Sequence, residues 1–474
     1  METYMRDFSM PRKKEFRFSI LGVMISLSLI FMFQDVVWGG EKEKEQKLIL
    51  SLQQMIEMAI ARSPEIAESQ SEIAGTKSEL EQVEAAYYPQ IESIALIGPV
   101  NDAKRPVVRG GRMIDPSPDA SLSTLGIFGR LDFTVTQPLY TFGKLSNRKG
   151  AASRGVRAKG FKLLEKKYEI ALRIKQLYYA LILARAGIDA ASDADAFFDD
   201  AGKRIPRLLE LGSTNVIESD LYRVDAYRAN NARAKAEAEK GTKVAYFALK
   251  SLIRLPSDAE FDVSEKTLPM RGEGLADLDI YVQKALAERP EFKQLDEALA
   301  AQDFLVQAVQ SDRYPSFFMA LEGSLAGAPG RETFRNPYIP DDFNHVNIGI
   351  VAGIKWNFDF GITRAKVDKE RAEYERLLHA KDSGKLNIPI QVAKSYQETR
   401  EWKVAVDTYN KAATASRKWV IAALTSFDMG VGTADDMLRA IEKYGESQGK
   451  YVEALFNYNL SLAELEYATG KKDW

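Results

Sequence analysis

The 474-residue chain has no cysteine and only two histidines, His345 and His379. The first absence excludes disulfides, thiolate metal sites, cysteine nucleophiles and a lipidated N-terminal cysteine. The scarcity of histidine leaves no cluster for a metal site or a proton-transfer pair, because the two lie far apart in segments of different character. Excess charge of either sign is missing as well: the net charge is −2 and mean hydropathy −0.27, so nothing favours nucleic acid as a partner. Beyond residue 33 no stretch reaches the ~20 consecutive apolar residues that a membrane-spanning helix requires. A nucleotide-binding loop is also lacking, since Gly323-Ser-Leu-Ala-Gly327 has neither the lysine nor the helix context of a phosphate loop. No nucleophile–base pair or metal constellation converges anywhere, and the chain is not read as an enzyme or as a cofactor binder.

What is present is an internal duplication. The segment from Ser51 to Ile66, with Pro64-Glu65 near its end, reappears from Asp277 to Phe292 with Pro290-Glu291. The prolines are 226 residues apart, and Tyr88-Pro89 and Tyr314-Pro315 keep that spacing. Two later pairs share another interval: Phe142-Gly143 matches Phe360-Gly361 and Gly212 matches Gly430, each 218 residues on. Each copy takes about half of the chain and mixes helical with strand periods, which is a duplicated half-molecule and not a short solenoid unit. The expected organisation is residues 1–40 as a signal peptide, 41–256 as the first repeat, 257–276 as a linker and 277–474 as the second repeat. The signal is read from Arg6, Arg12, Lys13, Lys14 and Arg17 ahead of the apolar run Phe18 to Phe33, with small residues at Gly39 and Gly40.

The same order of elements is expected in both copies. Ser51 with Gln54 forms a capping box, and Asp277 or Asp279 takes that part in the second copy. The first helix is predicted to run through Ile66, Ile73 and Leu80 toward Tyr88 and to stop at Pro89; its counterpart stops at Pro315. Two strands per copy should follow. Leu131, Phe133, Val135 and Leu139 alternate with polar residues, as do Val346, Ile348, Ile350, Ile354, Trp356 and Phe358. Such strands have two different environments. A half-buried soluble sheet meets that requirement, and so does a transmembrane barrel with aromatic residues near its rim. Four strands cannot close a barrel, so the second reading requires several chains. Gly/Pro-rich stretches from Asn101 to Asp119 and Gly327 to Asn344 read as exposed loops.

Long helices come next. Sixty-nine residues separate Gly143 from Gly212, and again Gly361 from Gly430. Ile170, Ile174, Leu177, Leu181, Ala184, Ile188 and Ala191 step by four and three, a coiled-coil seam. The returning helix carries Ala440, Tyr444, Ser447, Tyr451, Ala454, Tyr458, Ser461, Leu465 and Ala468 at the same spacing. Pro389 should kink the second long helix or locally break its ladder. The turns are Leu211 to Glu218 and Met429 to Asp436: each has a Gly that stops one helix, cap candidates in Thr214, Asn215 or Thr433, and a carboxylate six residues after the Gly. Those carboxylates suit the positive end of a helix.

The duplicated helix–Tyr-Pro–strand pattern, Gln137-Pro-Leu-Tyr-Thr-Phe-Gly143, the Gly-containing turns and Asn457 to Gly470 together resemble the TolC-like outer-membrane efflux protein family. The resemblance covers about Leu48 to Gly470. It implies an α+β membrane protein: a homotrimer whose chains each give four strands to one transmembrane β-barrel in outer-membrane lipid, continued by a long α-helical coiled-coil barrel in the periplasm. Its implied partners are a periplasmic adaptor and an inner-membrane transporter of a tripartite efflux or type I secretion system. By the same resemblance Gly212, Ser213, Thr214, Gly430, Val431, Gly432 and Thr433 are adaptor-contacting tips, and Asp436, Arg439 and Glu218 belong to the periplasmic entrance. Arg439 stands where family members carry a second acidic residue, which suggests an Asp436–Arg439 ion pair. The competing expectation is an elongated periplasmic coiled-coil scaffold without channel activity.

Overall fold

The computed structural model describes residues 47–101, 107–114, 125–271, 274–333, 338 and 340–471; the expected signal peptide lies outside them. Residues 49–257 and 261–471 belong to one compact unit. The described members of the other unit, Lys47, Leu48 and Asp258–Glu260, are joined by the Leu48 N–H donating to the Glu260 carbonyl at 3.0 Å.

The chain begins with a short strand β1 (Leu48–Leu50) and helix α1 (Leu52–Arg62). The Ser51–Gln54 capping box forms as expected: the Gln54 N–H reaches Ser51 Oγ at 3.3 Å and the Ser51 N–H reaches Gln54 Oε1 at 2.9 Å. The helix does not run on to Tyr88, however. Pro64 drives Ser63 into an extended conformation (φ −68°, ψ 129°), and Ser63 then caps a second helix α2 (Pro64–Ala85). Proline at the first helical position has no N–H to lose, and it disfavours helical backbone in the residue before it. The second copy breaks identically at Arg289-Pro290, between α5 (Leu278–Glu288) and α6 (Pro290–Gln310). Asp277 occupies the cap position of α5 without making a side-chain cap, and Asp279 sits in the first turn. The first turn is closed by the Ile280 N–H on the Asp277 carbonyl at 3.1 Å.

Two strands per copy follow. β2 (Gln90–Asn101), β5 (Leu125–Tyr140), β7 (Ser316–Gly327) and β8 (His345–Lys355) form one antiparallel sheet in that order. β5 and β8 stand where the alternation indicated. β8 ends at Lys355, so Trp356 and Phe358 lie beyond it, where their rings meet at a tilt with centroids 4.4 Å apart. Part of the first expected loop is a small hairpin of β3 (Val107–Arg109) and β4 (Arg112–Ile114).

The long helices are α3 (Lys144–Glu210) and α7 (Ile362–Asp428), each of 67 residues, which at 1.5 Å per residue is roughly 100 Å of helix. They return through α4 (Glu218–Leu252) and α8 (Ala434–Ala468), each of 35 residues. α7 is continuous through Pro389, and α3 through Pro206. The missing N–H removes one rung from a ladder of dozens, too little to interrupt either helix. The seams face inward as their spacing indicated. Ile174, Leu181, Ala440, Ala454, Tyr458 and Leu465 are almost wholly buried. Small residues let α3 and α4 approach closely: a Cβ on Gly187 would sit 3.3 Å from that of Ala238, and one on Gly241 would sit 3.3 Å from that of Ala184. The segment between the repeats is also packed. β6 (Phe261–Val263) pairs with β1, and Phe261 stacks on Tyr246 of α4 at 4.4 Å.

Candidate functional site

Two places carry the sequence expectations: the pair of turns where the long helices reverse, and the four-stranded sheet. At the turns, Gly212 (φ +67°) and Gly430 (φ +76°) adopt the left-handed backbone that ends α3 and α7. The Ser213 N–H donates to the Leu208 carbonyl at 3.0 Å and the Val431 N–H to the Ser426 carbonyl at 3.0 Å, so the two copies end by the same device. Restart differs between them. Thr433 caps α8 by accepting the Asp436 N–H at 3.2 Å. In the first turn neither Thr214 nor Asn215 caps α4; Asp220 reaches back to the Ile217 N–H at 3.0 Å. Gly432 is enclosed, since a Cβ there would stand 2.9 Å from the Phe427 backbone nitrogen.

The structure brings the two turns together. Asn215 Nδ2 donates to the Gly430 carbonyl and the Ala434 N–H to the Asn215 carbonyl at 3.3 Å. Arg204 near the end of α3 pairs with Asp428 at the end of α7. Arg223 of α4 holds Asp220 and also Asp435 of α8. Arg439, whose suggested partner was Asp436, pairs with Asp435 at 2.7 Å. Asp435 and Arg439 are four residues apart on one helix face, with the acid ahead of the base, the favourable order for such a pair. Asp436 and Glu218 are exposed, and Asp436 carries no ion pair among the described residues. Beneath the turns Phe198, Ile205, Val216, Phe427, Met437 and Ile441 form a closed apolar cluster that fixes their positions. Asn215 and Arg223 had no sequence signal as bridging residues. Asp220 and Arg223, three residues apart on a helix, could have been read as a local pair.

Through β5, β7 and β8 the sheet has one mainly apolar and one mainly polar face, while β2 also places Ile94 and Leu96 on the polar side, opposite Asp132 and Arg130. The register pairs Ile91 with Val135, Val135 with Leu321 and Leu321 with Ile350, and it pairs Ala95 with Leu131, Leu131 with Leu325 and Leu325 with Val346. Cross-strand partners share a face. The opposite face carries Glu92, Thr134 and Glu322 in one row and Asp132, Ser324 and Asn347 in the next. Among the described residues no element covers much of the apolar face: Ile97 is 82% exposed and Ile350 73%. β2 and β8 end the sheet, with no strand among the described residues on their outer sides. Phe142 stacks on Tyr314 at 5.3 Å and meets Tyr140 at 4.7 Å, an aromatic cluster at the end of the sheet nearest the helices.

The sequence pattern of the outer membrane efflux protein family matches residues 281–471, which hold the second copy's strands, long helix and returning helix. No curated protein matches the chain. Among solved structures, the outer-membrane channel OprN superposes with a TM-score of 0.72 at 16% identity, covering 88% of this chain and 89% of that one. The chain is similar to the TolC-like outer-membrane efflux proteins. The outer membrane protein VceC from Vibrio cholerae (TM-score 0.70, 15% identity, 88% of this chain and 96% of that one) has the same fold. So has the open state of the MtrE outer membrane channel of Neisseria gonorrhoeae (TM-score 0.70, 16% identity, 88% of each chain). The efflux-protein fold is therefore present along nearly the whole described chain, helix-dominated with one sheet, as in outer-membrane channels.

Proposed function

We propose that the protein is a passive exit channel of the outer membrane. Three copies each contribute the four-stranded sheet to one twelve-stranded barrel, apolar face to lipid and polar face to the lumen, while the helices continue the duct into the periplasm. The observation that carries this reading is the sheet: an uncovered apolar face together with two open edges. In lipid every backbone N–H and C=O must be paired, so four strands with open edges do not insert alone. β2 of one copy against β8 of the next removes both edges. A soluble coiled-coil scaffold has no use for such a face.

The turns Gly212-Ser213-Thr214 and Gly430-Val431-Gly432-Thr433 are then the periplasmic tips that meet an adaptor, and an inner-membrane transporter supplies the energy, in a tripartite efflux or a type I secretion system. Asp436 and Glu218 stand at the entrance as exposed carboxylates. Arg439 is held by Asp435, so it does not neutralise Asp436. Three Asp436 carboxylates about a threefold axis attract cations and repel anions. An N-terminal signal in residues 1–40 serves export.

Single-channel conductance of the purified protein in a planar bilayer tests the reading, with wild type beside Asp436→Ala. The expected result is small cation-preferring steps that enlarge or lose selectivity in the variant. Steps unchanged by the substitution would keep the channel and remove Asp436 from the entrance. Folded protein that gives no steps and stays soluble without detergent would overturn the channel.

A further inference from the structure

One of the two histidines stands where the polar face meets the segment that follows β7. His345 opens β8, and its ring is held at both nitrogens. Nδ1 lies 2.8 Å from the Asp341 carbonyl, and Nε2 lies 2.8 Å from Ser324 Oγ on β7. Ser324 Oγ in turn donates to Asp132 Oδ1 of β5 at 2.6 Å, and Arg130 Nε holds the same carboxylate at 2.9 Å.

Counting protons along this row decides the state of the ring. A carbonyl only accepts, so Nδ1 carries a proton. The single hydroxyl proton of Ser324 is committed to the ionised Asp132, so the serine oxygen can only accept from Nε2, which carries a proton as well. Both bonds are satisfied together only by the imidazolium. The neutral ring has one N–H and must release one of the two. The charged groups around it are Arg130 and Asp132 on β5, Glu322 farther along the same face of β7, and Arg331, Asp341 and Asp342 in the preceding segment.

That segment is tied down over the polar face. Asp341 accepts the N–H groups of Phe343 and Asn344 at 3.1 Å each. Phe343 meets the ring of Phe128, a polar-face position of β5, at 5.1 Å, and Arg331 lies 4.2 Å over the Phe343 ring while donating to the Asn101 carbonyl at 2.7 Å. We propose that protonated His345 is a latch that ties residues 341–344 through its ring to Ser324 of β7, over the end of the polar face away from the helices, and that deprotonation breaks this tie at one nitrogen or the other and loosens the segment. In the channel reading, on which only this consequence rests, that end is the outer mouth, so acid on the outer side narrows it. Loss of one charge-assisted hydrogen bond shifts the held-to-free ratio about tenfold.

The absence of native cysteine makes a site-specific spin label direct: Asp342→Cys in the full chain in detergent, labelled and recorded at pH 5 and pH 8. The expected spectrum is restrained at pH 5 and mobile at pH 8. His345→Gln in that background should remove the difference, and Ser324→Ala should diminish it. An identical line shape at both pH values with His345 present, or an unchanged pH response in His345→Gln, overturns the latch. Bilayer recordings with the outer-side pH stepped from 8 to 5 should show a closed-to-open ratio raised about tenfold. Conduction without the label's response leaves the channel and overturns the latch; the label's response without conduction leaves the latch and overturns the channel.

Discussion

The helical part and the sheet use apolar residues in opposite ways. Along α3 and α8 the apolar and small side chains step at helical spacing and are enclosed, with Ile174 and Ala454 sealed from solvent and charged residues outward. Along β5, β7 and β8 the apolar residues alternate with polar ones and many stay exposed, Ile127, Met319, Ile348 and Ile350 among them, while Glu92, Asp132 and Glu322 share the other face. One chain thus contains helix seams that the chain itself encloses and a sheet face that it leaves open. The difference teaches that the sheet is made for a surrounding the chain does not provide, and an apolar medium is the one such a face fits.

The comparison breaks most severely if the bare face is charged. Ile350→Arg should prevent stable insertion, at about 2–4 kcal/mol per copy for arginine near the bilayer midplane. Thr134→Arg, on the polar face, should insert normally. Fractionation between membrane and soluble pools, followed by heat-stability of the oligomer on gels, reads both. Equal behaviour of the two variants would end the assignment of the faces.

A smaller effect is expected inside the helical part. Lys175, 9% exposed at its side chain, pairs with Glu466 at 2.8 Å. Burial pushes the Glu466 carboxyl up, but Lys175 and then Lys471 override it, and the net shift is downward. Lys175→Met should cost about 2 kcal/mol, below the usual figure for breaking a buried pair because Lys471 remains at 3.1 Å. Glu466→Leu in the same chain should restore much of it. Chemical denaturation of the solubilised protein measures both, and a double variant no better than the single one would remove the pair from the account.

The smallest effect concerns an outward-facing charge on α8. Lys443 and Lys450 together hold the Glu446 carboxyl down at about 2. A depressed carboxylate contributes above its unfolded value and loses the contribution as pH falls through about 2. Glu446→Gln should therefore lower the melting temperature slightly at pH 7 and not at all near pH 2. Because the side chain is 41% exposed, salt should shrink the difference further. A larger loss in the variant at low pH would contradict the sign.

How far the sequence could be read depended on whether a feature was local. The seams of α3 and α8, the Gly turns, the Ser51 box and the strands β5 and β8 follow from period, caps and breakers, and each appears where those signals stand. The break at Ser63 was missed although Pro64 announces it, because periodicity alone carries an apolar pattern across a proline. The end of β8 was overrun for a related reason: alternation continues through Phe358 after strand pairing stops at Lys355. At the turns, Thr433 as a cap was legible. The bridge of Asn215 to Gly430 and of Arg223 to Asp435 was not, since each joins residues more than 200 positions apart.

By itself the sequence determined the duplication, the order of elements, the inward seams and the two-faced strands, because these rest on neighbours a few residues apart and on fixed helical and strand periods. Only the tertiary structure decided which strands adjoin, that Ile91, Val135, Leu321 and Ile350 line up across one face, that Arg439 turns to Asp435, and that His345, Ser324 and Asp132 form one row. Those depend on register and on how distant helices meet. No period along the chain encodes them.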